Sequence, residues 1–196
     1  RGPGSRTRDS TCRVPVASGA VSYSVDGKRI LVTGGSSGIG AALAEGFAAR
    51  GATVGICARR ADRLDEVLGR MREHAPDSRA WTVDLADLDA IEPFAKRAAA
   101  ELGGLDVMVN NAGIPKRRDV RRLSPAEVDA VMRINYQSPV RLTLALLPML
   151  IERSGRIVNI SSVAARLGPP IEAAYAASKA AITAFSECMA VDLRDT

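Results

Sequence analysis

The stretch "RILVTGGSSGIGAALAEGFAARG", residues 29–51, decides the fold class of this chain. It opens with a short apolar run, "RILVTG", and passes through a glycine-rich turn into "IGAALAEGFAARG", which has helical spacing and ends at a glycine. A strand that turns directly into a helix brings backbone N–H groups and the positive end of the helix dipole to one point. This arrangement is typical of α/β proteins that bind an anion, normally a pyrophosphate, at the end of a strand.

From residue 29 onward, short β-type runs alternate with longer runs of helical spacing. Such alternation predicts right-handed βαβ units, whose strands are parallel and whose helices cover both faces of the sheet. The strands are nearly continuous apolar runs, as a sheet covered on both faces requires. We therefore predict an α/β fold, a doubly wound parallel sheet with the five strands "RILVTG" at 29–34, "TVGICAR" at 53–59, "AWTVDL" at 80–85, "LDVMVNNAG" at 105–113 and "GRIVNISS" at 155–162.

Two of the helices carry a signal at their start. Ser124 is a favourable N-cap, Pro125 suits the first helical position, and Glu127 completes a capping box. Asp62 stands where its carboxylate can cap the helix after the second strand. The helices are predicted at 39–51, 61–74, 87–102, 124–152 and 173–193, the fourth as one long helix.

The composition is that of a globular domain, with 25% charged and 46% apolar residues among 196. The best candidate for a membrane span, "LTLALLPMLI", is ten residues long and contains a proline, so it predicts a buried helix. Three widely separated cysteines predict neither a disulfide framework nor a zinc site, and the single histidine, His74, has no ligand-type neighbour. We therefore expect no metal, no membrane partner and a cytoplasmic location by default.

Two stretches are strongly basic. Residues 1–26 hold four arginines and two aspartates among many Gly, Ser and Pro, and they predict a flexible leader, which leaves organellar targeting open. The second stretch, "PKRRDVRR" at 115–122, is favoured as a solvated loop, with an anionic substrate or partner as the alternative. Because the chain is only 4% aromatic, stacking on single-stranded nucleic acid is disfavoured and no nucleic-acid partner is expected.

The glycine loop "TGGSSGIG", residues 33–40, permits several interpretations. Gly34 permits the tight turn, Gly38 permits close approach of a cofactor, and Gly40 lets the helix lie on the sheet. No Lys-Ser or Lys-Thr follows the last glycine, so the loop is not a Walker loop. It contains G-x-S-x-G, the pattern of a hydrolase nucleophile elbow, but His74 follows too early in the chain for a triad.

The end of the second strand, "CARR", bears on the choice of cofactor. In dinucleotide-binding folds an acid at this point holds the ribose 2′-hydroxyl, whereas arginine accommodates a 2′-phosphate. Here Arg59 and Arg60 occupy the position, and the first acid is Asp62. Because guanidinium groups bind phosphate well, NADP(H) is favoured, with NAD(H) as the alternative.

Taken together with "VDL" at 83–85, "NNAG" at 110–113, "INY" at 134–136, "NISS" at 159–162 and "YAASK" at 175–179, the glycine loop resembles that of the short-chain dehydrogenase/reductase family. The resemblance covers about residues 27–195 and implies a Rossmann-type fold. Asp84 resembles the residue that meets the adenine amino group. The cofactor-binding residues that the motifs and the resemblance imply are Gly34, Gly35, Ser36, Ser37, Gly38, Ile39, Gly40, Arg59, Arg60, Asp84, Leu85, Asn111, Ala112, Gly113, Tyr175 and Lys179.

The resemblance also implies the catalytic residues. Tyr175 resembles the acid/base, and Lys179 resembles the cation that binds the nicotinamide ribose and assists the phenol. Ser162 resembles the hydroxyl that, with Tyr175, binds the substrate oxygen, and Asn135 resembles the residue that holds a water beside Lys179 as a proton relay. The implied reaction is the interconversion of a small-molecule carbonyl and a secondary alcohol.

The choice of Tyr175 and Lys179 also follows from chemistry. Residues four apart lie on one face of a helix, one turn from each other. Reduction of a carbonyl needs a hydride on carbon and a proton on oxygen, and the cofactor supplies only the hydride. A phenol has an unperturbed pKa of about 10, so a nearby cation helps it to exchange a proton near neutral pH.

Members of the family continue beyond the point where this sequence ends, with further strands and a substrate lid. We therefore expect residues 27–196 to be an NAD(P)-binding domain whose C-terminal strands are missing, a fragment of a longer reductase. The alternative is a nucleotide-binding module with little or no turnover. The resemblance further implies a homo-dimer or homo-tetramer formed through the long helix and the Tyr175 helix.

Overall fold

A computed structural model describes residues 23–194, and its centre is a five-stranded parallel sheet. The strand order is β3-β2-β1-β4-β5, so the order reverses between β1 and β4. This order confirms the predicted doubly wound α/β fold and creates a switch point where ligands bind in such sheets. The strands are β1 Arg29–Thr33, β2 Thr53–Ala58, β3 Arg79–Thr82, β4 Val107–Asn110 and β5 Arg156–Asn159.

Seven α-helices lie around the sheet in the described part of the chain. One core cluster packs α1 and α2 on one face, and a second packs α3 and α5 on the other. The helices are α1 Gly38–Ala48, α2 Ala61–Arg72, α3 Ile91–Leu102, α4 Pro125–Met132, α5 Ser138–Glu152, α6 Ala164–Leu167 and α7 Ala173–Asp192.

Burial along the strands follows their position in the sheet. Ile30 of β1 lies between Val54 of β2 and Val107 of β4, and all three side chains are buried. Strand β5, at the end of the strand order, alternates between exposed and half-buried residues. The central strands are apolar throughout because both of their faces are covered.

The prediction of one long helix after the fourth strand is wrong, because the structure has two helices there. The capping box of Ser124 and Glu127 is present, but α4 ends at Met132, and a π-helical turn, Arg133–Gln137, joins it to α5. A π-helical turn holds an extra residue per turn, and here it contains the buried Asn135. The prediction of one helix rested on apolar spacing and overlooked Pro139, which lies in the first turn of α5 and is a local signal for a helix boundary.

Two predicted helix starts also need correction. Arg60 is the N-cap residue of α2, and Asp62 lies inside the first turn without a side-chain capping bond. Helix α3 begins at Ile91, four residues later than predicted. The cause is local, because the Asp87 carboxylate accepts hydrogen bonds from two following backbone N–H groups and holds that segment in a turn.

The start of the described chain contacts the domain. Val25 packs against the core on the α1 and α2 face, and the Arg156 guanidinium lies 5.4 Å from the centre of the Tyr23 ring. The predicted leader otherwise falls on residues 1–22, outside the described residues. Between residues 23 and 194, no helix has the length and apolar character that crossing a membrane would need.

Candidate active site

The glycine turn between β1 and α1 has the backbone geometry that only glycine adopts readily. Gly34 has φ +69° and Gly38 has φ +56°. A Cβ atom on Gly34 would lie 2.9 Å from the Cα atom of Ala112, whereas one on Gly38 would meet open space. The first glycine is therefore required by the close backbone of the "NNAG" segment, and the second leaves the amino end of α1 accessible.

The contact with the sheet that the sequence assigned to Gly40 belongs instead to Gly35. A Cβ atom on Gly40 would collide with the Gly34 carbonyl oxygen and lie 2.5 Å from Asn111 Nδ2. A Cβ atom on Gly35 would lie 2.6 Å from the Cβ atom of Ile56 in β2. Gly40 thus lets α1 approach the turn itself, while Gly35 permits the contact with the sheet.

Thr33, which the sequence analysis did not assign to the site, ties this turn to the "NNAG" segment. Its Oγ1 atom accepts hydrogen bonds from the backbone N–H groups of Asn111 and Ala112, both at 3.0 Å. The Asn111 side chain donates back to the Thr33 carbonyl at 2.9 Å. The two chain segments at the switch point therefore form one rigid unit.

A cleft of about 900 Å³ opens at the carboxyl ends of the strands. It has the size of a typical small-molecule site. The predicted cofactor-binding residues that line it are Gly34, Ser36, Ser37, Ile39, Arg59, Arg60, Asp84, Leu85, Asn111, Ala112 and Gly113. Gly35, Gly38, Gly40, Tyr175 and Lys179 are not among the lining residues.

The two arginines after β2 carry charges that no carboxylate neutralises. Arg60 Nη2 donates a 3.1 Å hydrogen bond to Ser37 Oγ of the glycine turn, and both arginines are exposed. Neither forms an ion pair with any acid between residues 23 and 194. This edge of the cleft is therefore a positive surface available to an anion.

Asp84 and Leu85 follow β3 at the same edge. Asp84 is exposed, and its Oδ1 atom accepts a hydrogen bond from the Ala86 N–H at 2.9 Å. The Leu85 side chain is buried in the core on the α3 and α5 face. Leu85 thus helps to place Asp84 at the cleft from beneath.

The basic loop 115–122 differs from the arginine pair because four of its five cations form ion pairs. Glu127 accepts from Lys116 at 2.5 Å and from Arg118 at 3.0 Å, and Glu172 accepts from Arg117 at 2.8 Å. The hydrogen bond from Lys116, the capping bond from the Ser124 N–H and the charge of Arg118 lower the pKa of Glu127 to about 2. These pairs favour the interpretation of the segment as a solvated loop.

Helix α7 presents Tyr175 and Lys179 together. The Lys179 Nζ atom lies 5.9 Å from the centre of the Tyr175 ring and donates a 2.6 Å hydrogen bond to the Ile160 carbonyl after β5. Lys179 is only 5% exposed and forms no ion pair within the described chain, whereas Tyr175 is half-buried. Burial lowers the pKa of Lys179 below its ordinary value of 10.5.

Asn135 and Lys179 meet around Gly113. A Cβ atom on Gly113 would lie 3.3 Å from Asn135 Oδ1 and 3.6 Å from Lys179 Nζ. The Asn135 carboxamide accepts from the Ile114 N–H at 2.8 Å and donates to the Ile114 carbonyl at 3.1 Å. The predicted pair is therefore brought together, with the Asn135 side chain bonded to Ile114 and the Lys179 ammonium to Ile160.

Ser162 lies in the short loop between β5 and α6, two residues before the helix begins. Its Oγ atom accepts a 3.1 Å hydrogen bond from the Ala164 N–H, and the residue is half-buried. The neighbouring Ser161 hydroxyl contacts Thr183 Oγ1 of α7 at 2.7 Å, which ties this loop to the Tyr175 helix. Contact of Ser162 with a substrate oxygen stays a prediction.

The hydrolase interpretation of "GGSSG" fails on topology. Helix α2 starts at the carboxyl end of β2 and returns to the amino end of the sheet before β3. His74 follows this helix and is exposed, so it lies at the end of the sheet opposite the glycine turn. A histidine in that place cannot serve as the base for Ser36.

Sequence reasoning missed part of the cleft wall. Ile114, Ala126, Asp129, Ala130, Arg133 and Ile134 also line the cleft. They come from the loop after β4, from α4 and from the π-helical turn. Two sequence signals lay close to them: the capping box, which placed the start of α4 close after that loop, and the "INY" motif, which contains Ile134.

Together, the strand order, the glycine turn at the switch point and the tyrosine–lysine pair define a Rossmann-type α/β protein with a candidate oxidoreductase site. Residues 28–196 match the family model described as short chain dehydrogenase, and the chain belongs to this family of oxidoreductases. The family uses NAD(P)(H).

Named relatives agree with this assignment. The chain is 40% identical over 176 residues to a short chain dehydrogenase of Pseudocercospora fijiensis and 38% identical over 172 residues to a fatty acyl-CoA reductase of Acinetobacter baylyi. These matches cover 88% and 86% of this chain but only 57% and 58% of the relatives. The crystal structure of a metagenomic short-chain oxidoreductase in complex with NADP has a TM-score of 0.80 and 36% identity, covering 88% of this chain and 79% of that one.

Proposed function

We propose that this chain carries the catalytic site of an NADP(H)-dependent oxidoreductase that interconverts a carbonyl and a secondary alcohol. The observation that carries the proposal is the buried ammonium of Lys179, one helical turn from Tyr175 and beside Gly113 at the cleft. A buried cation without a carboxylate is costly, and such groups are concentrated at functional sites. In the proposed mechanism this ammonium is the positive charge that lies 5.9 Å from the centre of the Tyr175 ring.

The cleft fits a dinucleotide. Its glycine turn combines positive φ angles with an accessible helix start, which suits a pyrophosphate. Among the lining residues, Arg59 and Arg60 would hold a 2′-phosphate and Asp84 the adenine. Lys179, which does not line the cleft but lies beside Gly113, would hold the nicotinamide ribose. The cofactor, when bound, supplies the hydride.

In the proposed mechanism, side chains of this protein transfer the proton to and from the substrate oxygen. In the direction of reduction the Tyr175 hydroxyl donates its proton to the developing alkoxide, and in the reverse direction the phenolate takes it back. The Lys179 ammonium stabilises the phenolate that remains. Ser162 is assigned to the substrate oxygen, because a hydroxyl both donates and accepts as the charge on that oxygen changes.

Preference for NADP(H) over NAD(H) rests on the arginine pair. Both guanidinium groups line the cleft and are free of carboxylates, whereas four cations of the basic loop are already in ion pairs. Guanidinium groups bind a phosphate through charge-assisted hydrogen bonds. The solved neighbour in complex with NADP supports the same preference.

A second candidate function is a nucleotide-binding module with little turnover. It is favoured by the lining of the cleft, which includes eleven predicted cofactor-binding residues but neither Tyr175 nor Lys179. This candidate predicts cofactor binding by the 196-residue chain without reduction of any carbonyl.

Association into a dimer or tetramer is part of the proposal. Helices α5 and α7 expose Leu144 and Val191 at 56% and 60%, and these are two of the elements expected to form the contact. Sedimentation velocity at several protein concentrations tests it. A concentration-independent monomer would contradict the expected assembly.

Titration calorimetry with NADPH and NADH, followed by a carbonyl substrate screen, tests the proposed reaction. We expect selective NADPH binding by both the wild type and Tyr175→Phe. We also expect Tyr175→Phe to lose about 10²- to 10⁴-fold in turnover, the usual contribution of a general acid. Wild-type turnover by Tyr175→Phe would refute the assigned chemistry, and binding without turnover by the wild type would favour the second candidate.

A further inference from the structure

Ser178 lies on α7 between Tyr175 and Lys179 and is fully buried. Its Oγ atom donates a 2.7 Å hydrogen bond to the Tyr175 carbonyl oxygen. Because a hydroxyl has one proton, the same oxygen is left as an acceptor, and it accepts from Asn135 Nδ2 at 3.0 Å. The direction of this short chain of bonds is therefore fixed, from Asn135 through Ser178 to the backbone of Tyr175.

The Asn135 carboxamide depends on this acceptor. Its two N–H donors are used by the Ile114 carbonyl and by Ser178, and its oxygen accepts from the Ile114 N–H. Without the Ser178 hydroxyl, one amide proton would be buried and unpaired, which is unfavourable. The carboxamide would relieve this cost by rotating, and rotation would break its paired contact with Ile114.

These bonds connect two parts of the site that come from distant segments. On one side is the segment of Gly113 and Ile114 at the cleft, and on the other is the helix that carries Tyr175 and Lys179. Asn135 spans the gap, and Ser178 is its contact on the helix. The distance between the proton donor and the cleft thus depends on a hydrogen bond that neither Tyr175 nor Lys179 makes through its own side chain.

We propose that Ser178 is a positioning residue of the reaction, which sets the orientation of Asn135 and the placement of the Tyr175 helix against the Gly113–Ile114 segment. This role rests on the proposed function. It acts through geometry, so its removal affects proton transfer far more than cofactor binding. A misplacement of about 1 Å at a catalytic group can cost about 10²-fold in rate.

The same helix supplies a matched control. Ser186 Oγ donates to the Ile182 carbonyl at 2.7 Å and accepts from Asn159 Nδ2 at 2.8 Å. It therefore has the same two kinds of bond as Ser178, from a side-chain amide and to a carbonyl of its own helix. Ser186 lines a separate groove beside β5, away from the proposed cofactor cleft.

The experiment compares Ser178→Ala, Ser178→Thr and Ser186→Ala in thermal unfolding, NADPH affinity, kcat, KM and the pH profile of kcat. Both alanine variants should lose some stability. Only Ser178→Ala should lower kcat by about 10-fold or more and displace the pH profile, with NADPH affinity unchanged. Ser178→Thr, which keeps the hydroxyl, should recover most of the rate; equal kcat and equal pH profiles for the two alanine variants would overturn the proposal.

A readout that needs no turnover is hydrogen exchange at the Ile114 N–H, which Asn135 protects. Ser178→Ala should accelerate this exchange, and Ser186→Ala should not; equal rates in both variants would overturn the proposal. The turnover of Tyr175→Phe, measured alongside, distinguishes failure of the proposed function from failure of the role of Ser178. If it keeps turnover, the proposed function fails, whereas an inactive Tyr175→Phe with a fully active Ser178→Ala removes only the role of Ser178.

Discussion

The two ends of the parallel sheet differ in whether selected charged side chains form ion pairs. At the amino end, the buried Asp106 carboxylate accepts from the Arg29 N–H at 2.8 Å and from the Arg153 guanidinium at 2.9 and 3.0 Å. At the carboxyl end, Arg59 and Arg60 have no carboxylate partner in the described chain, and neither has the buried Lys179. The charge of Asp106 is thus neutralised within the described part of the domain, whereas the charges of these three cations are not.

This difference separates stability from function within one domain. Parallel α/β sheets bind ligands at the carboxyl ends of their strands, so unpaired cations and accessible N–H groups there are useful. Such groups cost stability, as active sites commonly do. The ion pair and backbone contacts of Asp106 at the other end offset part of that cost, and variants at each end should change different properties.

The largest effect on stability is expected for Asp106→Ala at the amino end. The change leaves the partly buried Arg153 and the Arg29 N–H without their partner. We expect a loss of about 3 kcal/mol in the free energy of unfolding, because the change removes the charge-assisted hydrogen bonds of a buried carboxylate and leaves the Arg29 N–H without its acceptor. Urea unfolding measures it, and NADPH affinity of the folded protein should stay the same.

Asp119→Ala is the matched control for this change. Asp119 pairs with Arg121 at 2.6 Å, but the Arg121 side chain is 85% exposed, so the pair should contribute little to stability. If the two variants lose equal free energy of unfolding, the ion pair of Asp106 does not stabilise the domain more than an exposed pair does.

The next largest effect separates the two basic clusters. Arg59→Ala with Arg60→Ala should weaken NADPH binding by about 10- to 100-fold and NADH binding much less, because only NADPH presents the 2′-phosphate. Arg117→Ala with Arg118→Ala should change NADPH affinity by less than about threefold, since those cations are already in ion pairs. Titration calorimetry on both double variants measures these affinities. Equal losses of affinity for NADPH and NADH in the Arg59 and Arg60 double variant would contradict the assignment of these residues to the 2′-phosphate.

A smaller effect, of about 1 to 2 kcal/mol, is expected for Asp106→Asn near neutral pH. Burial alone would raise the pKa of Asp106, but the Arg29 N–H, the Arg153 guanidinium and the charge of Lys28 lower it below the ordinary 3.8. A carboxyl group with a lowered pKa adds stability above the unfolded pKa and loses it as pH falls through the folded pKa. The gap between wild type and Asp106→Asn should therefore narrow below about pH 4 in urea unfolding; a gap that stays constant down to pH 2 would contradict this.

The smallest effect on stability is expected for Lys179→Met. We expect the free energy of unfolding to stay the same or to rise by up to about 1 kcal/mol, because an uncompensated buried charge is replaced by a side chain of similar volume. Turnover should fall sharply. A loss of more than about 1 kcal/mol would show that the Lys179 bond to Ile160 supports the fold, and the contrast between the two ends would be weaker.

The lowered pKa of Lys179 also predicts how the free energy of unfolding changes with pH. Because burial lowers the pKa of Lys179, the folded state binds fewer protons than the unfolded state at pH values between the lowered pKa and 10.5. The wild-type free energy of unfolding should rise with pH through that window, and Lys179→Met should lose this rise.

Much of the fold could be read from the sequence because its signals are local. The apolar runs of the strands and the positive φ angles that the turn requires at Gly34 and Gly38 depend only on neighbouring residues. The capping box at Ser124 was also predicted correctly, since its partners are three residues apart. The interruption at Arg133–Gln137 was missed although Pro139 is a local boundary signal. The contact of Asn135 with Ile114, 21 residues away, could not be read from local spacing.

By itself, the sequence determined the five strands in their order along the chain, the glycine turn and the spacing of Tyr175 and Lys179 on one helix. Only the tertiary structure decided which cations are free, because Arg117 and Arg59 look alike until Glu172 is placed beside the first, 55 residues away. It also decided the part played by Ser178, whose partner Asn135 lies 43 residues earlier. Periodicity and turn chemistry act over a few residues, whereas charge compensation and buried hydrogen bonds depend on segments that meet only in the folded chain.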